Sequence, residues 1–233
     1  ESLSDDITRR LKPLAEAAHT RNATVLVDPS LIDEVRAMAS GYLVAGKGSH
    51  TVAGTGQEQA KEWLNLVEPL LSSGRAYRLP YGNADVIGAA RQGRSSLLLT
   101  VKHAVDPSNP AAHLPLAIID PAAELDNSSF KTLAKELSPS VILTCAASVR
   151  KGVREDFGVK IIGLANTVRT GGHPQSNSDS QRRGMLLSQA LLMTRESIPA
   201  VTLVTTVNDV QATAPVSWLH LQNLSTILNG AKP

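Results

Sequence analysis

The sequence has very little cysteine and few aromatic side chains. It contains 1 cysteine in 233 residues, and aromatic residues make up 3% of the chain. A single cysteine excludes an internal disulfide, although a chain of this length can bury a core large enough to fold without one. Cys145 follows the apolar run 141–144, so we interpret it as a small buried hydrophobic residue.

The chain also lacks a strong net charge and any long apolar run. It has 23 Lys and Arg against 21 Asp and Glu, a balance too even to predict an acidic partner for the whole chain. No run approaches the roughly 18 apolar residues that a membrane span requires, and no signal segment opens the chain. Since the chain begins at what we interpret as an acidic helix start, we expect it to be excised from a longer protein.

One stretch departs from the even charge balance. Residues 150–195 carry eight Lys and Arg against three acidic residues, and Phe157 is their only aromatic residue. Nucleic-acid binding depends on aromatic side chains that stack on bases as well as on positive charge, so we expect no nucleic-acid partner. A weaker hypothesis is that this stretch, including Arg182 and Arg183, forms a protein-interaction surface whose positive charge attracts an anionic partner.

The motifs of metal and cofactor sites are missing. None of the 6 histidines forms a His-x-x-x-His pair, and no second cysteine is present to complete a zinc site. Residues 41–48 resemble a phosphate-binding P-loop, but Gly48 stands where Ser or Thr would bind magnesium. We therefore predict neither a metal nor a cofactor.

Apolar runs alternate with helical patterns along most of the chain. Short β-branched or apolar runs that end at polar or turn residues predict strands at 24–27, 76–79, 116–119, 141–144, 160–164 and 201–207. Helical spacing separates these runs, which predicts one α/β domain over 1–233 with a parallel sheet, closed into a (β/α)-barrel or left open. The glycine-rich residues 46–56 and the polar residues 169–180 are predicted to be surface loops, and 185–193 a long helix.

Function in such folds lies beyond the carboxyl ends of the strands. Four carboxylates near the predicted ends are therefore the catalytic candidates: Asp28, Asp85, Asp120 and Asp209. A glycosidase needs two such groups roughly 5–10 Å apart. Asp28 and Asp120 also precede a proline, and helix capping by Asp with Pro at the first helical position explains that pattern without catalysis.

Several segments together resemble a known family. The segments are 27–35 with Met38 and 41–42, then 79–86, 182–192 and 201–204. They are similar to uncharacterised secreted or membrane-anchored proteins encoded beside the lipid II flippase in high-GC Gram-positive bacteria. This chain departs from the family pattern at three strand ends. Asn83-Ala84 stand where the family has Asp-Pro, and Asp120-Pro121 stand where it has Trp-Pro. The Pro-Arg that follows the last strand in the family is missing after Val207.

The resemblance implies a cell-envelope context and a fold similar to glycoside hydrolase and polysaccharide deacetylase barrels, incomplete or distorted here. With the departures at the strand ends, our leading hypothesis is an extracytoplasmic, non-catalytic domain that supports envelope assembly by binding a glycan, a lipid-linked precursor or a protein. The alternative is a carbohydrate-active enzyme that uses the strand-end carboxylates. The candidate ligand-binding residues are Asp28, Tyr81, Asp85, Asp120 and Arg183.

Overall fold

A computed structural model describes residues 2–21, 23–46, 50–145, 153–164 and 222–230, with separate positions between 181 and 209. These residues form a mixed α/β fold, as the sequence predicts. The strands are β1 (Val25–Val27), β2 (Leu43–Ala45), β3 (Thr51–Ala53), β4 (Ala76–Arg78), β5 (Ala117–Asp120), β6 (Val141–Cys145), β7 (Arg154–Asp156), β8 (Val159–Leu164) and β9 (Ala200–Val201).

Helices separate most of the strands. They are α1 (Leu3–Asp6), α2 (Lys12–Thr20), α3 (Pro29–Ala39), α4 (Gln57–Leu71), α5 (Val86–Arg91), α6 (Ser95–His103), α7 (Asn127–Leu137) and an inner-face helix (Leu224–Leu228), with a π-helical turn at Ile7–Leu11. The predicted acidic helix start is confirmed, because the Ser2 hydroxyl accepts from the Asp5 N–H and the Asp5 carboxylate accepts from Ser2.

The parallel strands lie side by side in chain order. β1 pairs with β4, a bridge from Arg78 to Leu116 joins β4 to the start of β5, and β5, β6, β8 and β9 follow, each parallel to the last. β7 pairs antiparallel with the first half of β8, and β9 pairs parallel with the last two residues of β8 on the same edge. No closed barrel forms among the residues that the structure describes.

The two faces of this sheet are both covered, because side chains alternate across a strand. On the outer face, α3 and α4 pack against β1 and β4, while α5, α6 and α7 pack against β5, β6 and β8. On the inner face, Tyr77, Leu143 and Ile162 belong to a separate apolar cluster. Strands buried on both faces read as continuous apolar runs, which is why the sequence predicts them well.

The inner-face helix covers part of that apolar cluster. Leu224 and Leu228 are buried in it, and polar contacts hold the helix at the amino ends of the strands. The Leu224 N–H donates to the Thr24 hydroxyl at 2.7 Å, and the Lys160 ammonium donates to the Leu228 carbonyl oxygen at 2.8 Å. The inner face is therefore an apolar layer with its own helix.

The predicted loop at 46–56 is partly wrong. β2 and β3 pair as an antiparallel hairpin, although residues 47–49 lie outside the described part of the chain. Its apolar side chains face solvent: Leu43 is 69% exposed and Val52 is 51% exposed. The hairpin base is fixed by Tyr42, whose ring lies so close to Gly54 that any side chain at that position would collide with it.

Two other predictions, the strand at 201–207 and the burial of Cys145, have clear outcomes. The strand predicted at 201–207 is wrong from Leu203 onward, because residues 203–205 are irregular and Val207 is helical. The loop at 169–180 and most of the helix predicted at 185–193 lie outside the described residues. Cys145 is half-buried at the end of β6 rather than fully buried.

Candidate functional site

Asp28 joins two turns at the carboxyl edge of the sheet. It caps α3, with its Oδ1 accepting from the Ser30 N–H at 2.9 Å and Pro29 at the first helical position. The same oxygen accepts from the Gly82 N–H at 3.0 Å, in the loop after β4. The capping interpretation is confirmed for Asp28, and its carboxylate also fixes one loop against another.

Tyr81 belongs to a hydrogen-bonded group beside that junction. Its hydroxyl donates to Asp33 Oδ2 at 3.2 Å, and the amide of Asn109 donates to Asp33 Oδ1 at 2.8 Å and to the Pro29 carbonyl at 2.9 Å. Asn109 is only 1% exposed, and its side-chain oxygen accepts from the Ala111 N–H. The group therefore ties together α3, the loop after β4 and the segment before β5.

The electrostatic setting keeps the Tyr81 hydroxyl protonated. Loss of solvation raises the pKa of this phenol first, and the negative charge and hydrogen bond of Asp33 raise it further, with smaller contributions from Asp28 and Glu34. A neutral phenol can donate to Asp33 and still accept a hydrogen bond from a ligand. Tyr81 is a predicted ligand-binding residue, and it lies close enough to Asp28 for the charge of that carboxylate to act on it.

Asp85 lies farther along the same loop, as the cap of α5. Its Oδ1 accepts from the Gly88 N–H at 2.8 Å. A Cβ atom at Gly88 would lie 2.2 Å from Asp85 Oδ2, so the cap requires glycine at that position. The carboxylate is thus committed to the first turn of a short helix.

Asp120 has a different structural role from the one that its Asp-Pro pattern predicts. It is 2% exposed, and its two oxygens accept from the Glu124 N–H at 3.0 Å and the Leu125 N–H at 3.3 Å. No helix starts at Pro121. Instead α7 begins at Asn127, with Asp126 as its cap. The helix-cap interpretation of Asp120 is therefore wrong, and the residue stabilises the turn that precedes α7.

Strand alternation separates Asp120 from the inner face. Ile118 lies in the outer cluster and Ile119 packs on the inner one. Alternation therefore places Asp120 on the outer face of the sheet, beneath α5, α6 and α7. β4 lies between β1 and β5, so the strands that carry Asp28 and Asp120 are two spacings apart, roughly 10 Å. This lateral separation alone is at the upper limit for an inverting pair of carboxylates. The position of Asp120 on the outer face increases the distance between the two carboxylates further.

The remaining two candidates lie in the later part of the chain. Asp209 is 6% exposed, and its Oδ2 accepts from the N–H groups of Thr205 and Thr206 at 3.3 and 3.1 Å. Its own N–H donates to the Thr206 hydroxyl at 3.2 Å, which closes a reciprocal capping arrangement. Arg183 is half-buried in a helical segment.

Two functional-type residues escaped the sequence reasoning. Asp33 and Asn109 are 76 positions apart, so no local motif connects them. Neither residue belongs to a motif that a single sequence reveals. Within the described residues no group of three or more His, Cys, Asp or Glu could hold a metal ion.

A scan against protein-family models and searches of curated proteins and of solved structures find no match for this chain. In the described part of the chain, no helix is both long enough and apolar enough to cross a bilayer.

Proposed function

We propose that this chain is a non-catalytic binding domain that acts outside the cytoplasm and supports assembly of the cell envelope. Its ligand is a glycan, a lipid-linked precursor or a protein partner. The observation that carries the proposal is that all four candidate carboxylates accept hydrogen bonds from nearby backbone N–H groups. They stabilise turns and caps, which supports a structural role for these groups rather than a catalytic one. The envelope context comes from the family resemblance of the sequence.

The finer fold that we propose is an incomplete or distorted (β/α)-barrel. In a doubly wound sheet the strand order reverses at a switch point, whereas in a barrel each strand follows its predecessor in the same direction. The order β1, β4, β5, β6, β8, β9 supports the barrel type. A crystal structure tests this, because further strands must close the gap between β9 and β1.

Thermal melting of the purified domain tests the binding proposal. The panel is cell-wall glycan fragments, a lipid II analogue and, as controls, unrelated glycans. A ligand that binds only the folded state at a hundred times its Kd stabilises it by about 2.7 kcal/mol, which melting detects. Tyr81→Phe is the site variant, because it removes the hydroxyl and keeps the ring. We expect a shift with one envelope ligand, weakened in Tyr81→Phe, and no turnover of that ligand.

The alternative is a carbohydrate-active enzyme, and the same samples decide between the two. The feature that favours it is the position of Asp28 and Asp85 near the carboxyl edge of consecutive parallel strands. Chromatography after long incubation would then show cleaved or deacetylated product, and Asp28→Asn would abolish it. Asn caps a helix about as well as Asp, so this variant removes the acid and keeps the fold. Product formation of that kind would overturn the non-catalytic proposal.

A further inference from the structure

Arg78 is the last residue of β4 and lies at the carboxyl edge of the sheet. Alternation places it on the outer face with Ala76, opposite Tyr77. Its neighbours across the sheet are Val27 on β1 and Leu116 at the start of β5, which belong to two different apolar clusters. The Arg78 side chain therefore emerges where the two outer clusters meet.

The guanidinium of Arg78 has no partner among the described residues. Its Nε is buried and makes no hydrogen bond. Other arginines of the chain do have partners: Arg91 pairs with Glu124 at 2.7 Å, and Arg36 donates to the Ser108 carbonyl at 2.9 Å. Burial lowers the pKa of Arg78, and no neighbouring carboxylate offsets this effect. Arg78 therefore has a buried N–H donor without an acceptor and a half-buried charge without a counter-charge, a combination that a protein rarely retains without a reason.

The position of Arg78 suggests the reason. Ligands of parallel α/β folds bind beyond the carboxyl ends of the strands, which is the end of β4 that Arg78 occupies. The planar guanidinium presents paired N–H donors that match the oxygens of a phosphate or a carboxylate. We propose that Arg78 forms an oxyanion-binding site that takes the phosphate or carboxylate group of a small ligand. This inference is independent of the envelope function, because simple inorganic anions test it directly.

A structural role for Arg78 predicts the opposite behaviour of one variant. If the guanidinium held the fold together, Arg78→Met would lower the melting temperature. If its buried Nε is instead a donor left unpaired for an anion, methionine removes that unsatisfied donor and fills similar space. Arg78→Met then melts at or above the wild-type temperature in chloride, and it loses the response to the anion.

The experiment compares wild type, Arg78→Met, Arg78→Lys and Arg91→Met. The last variant is the charge-matched control, since Arg91 is exposed, pairs with Glu124 and lies on the neighbouring helix α5. Each protein is melted in sodium chloride and then in sodium phosphate or sodium acetate at equal ionic strength and pH 7. Phosphate also stabilises proteins non-specifically by exclusion from their surface, and Arg78→Met measures that background. Arg91→Met tests whether the loss of any arginine weakens the response.

We expect a saturable rise in Tm with phosphate, acetate or both for wild type and Arg91→Met. The anion that gives the rise identifies the oxyanion class. Arg78→Lys keeps the charge but loses the paired donors, so at least tenfold more anion is needed for the same rise. Arg78→Met shows only the non-saturable background. Three results would overturn the site: no saturable rise in wild type, an unchanged rise in Arg78→Met, or an Arg78→Met protein that melts below wild type in chloride.

Discussion

The β5–β6–β8 sheet and the β2–β3 hairpin are built from similar residues and have opposite environments. In β6, Val141, Ile142 and Leu143 are each at most 1% exposed. In the hairpin, every residue of both strands is exposed. Apolar, β-branched composition therefore predicts a strand but does not decide whether the strand is buried. Burial comes from the helices packed on both faces of the sheet, which the hairpin lacks.

The hairpin also differs in what holds it in place. A two-stranded ribbon alone is marginally stable in water. Here its base is tied to the body by Tyr42, whose hydroxyl oxygen accepts from the Gly56 N–H at 3.3 Å and whose backbone carbonyl accepts from the Gly54 N–H at 2.8 Å. The comparison predicts that substitutions in the sheet affect the whole fold, whereas substitutions in the hairpin act only locally.

The largest effect is expected for Leu143→Ala. Leu143 is 0% exposed in the inner-face cluster, and its truncation leaves a cavity that neighbouring strands cannot fill. We expect a loss of about 2–5 kcal/mol in the free energy of unfolding, measured by urea denaturation. A loss below about 1 kcal/mol would mean that the inner face is loosely packed, and the contrast with the hairpin would fail.

An intermediate effect is expected for the turn that joins β1 to α3. Asp28→Ala removes the acceptor for two N–H groups, one on α3 and one in the loop after β4, so we expect a loss of about 1 kcal/mol. The matched variant Asp28→Asn keeps a capping oxygen and should be nearly neutral. Equal losses in the two variants would show that the negative charge of Asp28, rather than its capping geometry, stabilises the edge.

The smallest effect is expected for Val52→Thr in the hairpin. The side chain is 51% exposed, and threonine keeps the β-branched shape that strands favour. The free energy of unfolding should change by less than about 0.5 kcal/mol. A loss of the size expected for Leu143→Ala would show that the hairpin carries a buried contact in solution, contrary to the comparison.

The sequence predicts the buried sheet far better than the hairpin or the site. Runs such as 141–144 are apolar at every position because both faces are covered, and this pattern is visible without a structure. The hairpin strands have three residues each and adjoin glycines, so they resemble a loop. Strand 201–207 was overestimated because an apolar composition continues past the point where pairing to β8 stops.

The site was predictable only where its signal is local. Asp28 followed by proline is a helix-cap pattern, and Asp28 is a cap. The same dipeptide at Asp120 precedes a turn, because the chain needs six more residues before α7 can start at Asn127. The Asp33–Asn109 pair and the unpaired guanidinium of Arg78 depend on long-range packing, for which a single sequence gives no signal.

The contact between the inner-face helix and the start of β1 has a consequence for how the chain folds. The Leu224 N–H and the Thr24 hydroxyl are 200 positions apart. Closing so long a loop is entropically costly, and folds dominated by distant contacts form slowly. During synthesis the outer helices can pack on their strands soon after both have been made, whereas the apolar inner face stays exposed until the inner-face helix has been made. A nascent chain that ends before the inner-face helix (Leu224–Leu228) should therefore need a chaperone, because exposed apolar surface makes such intermediates aggregate.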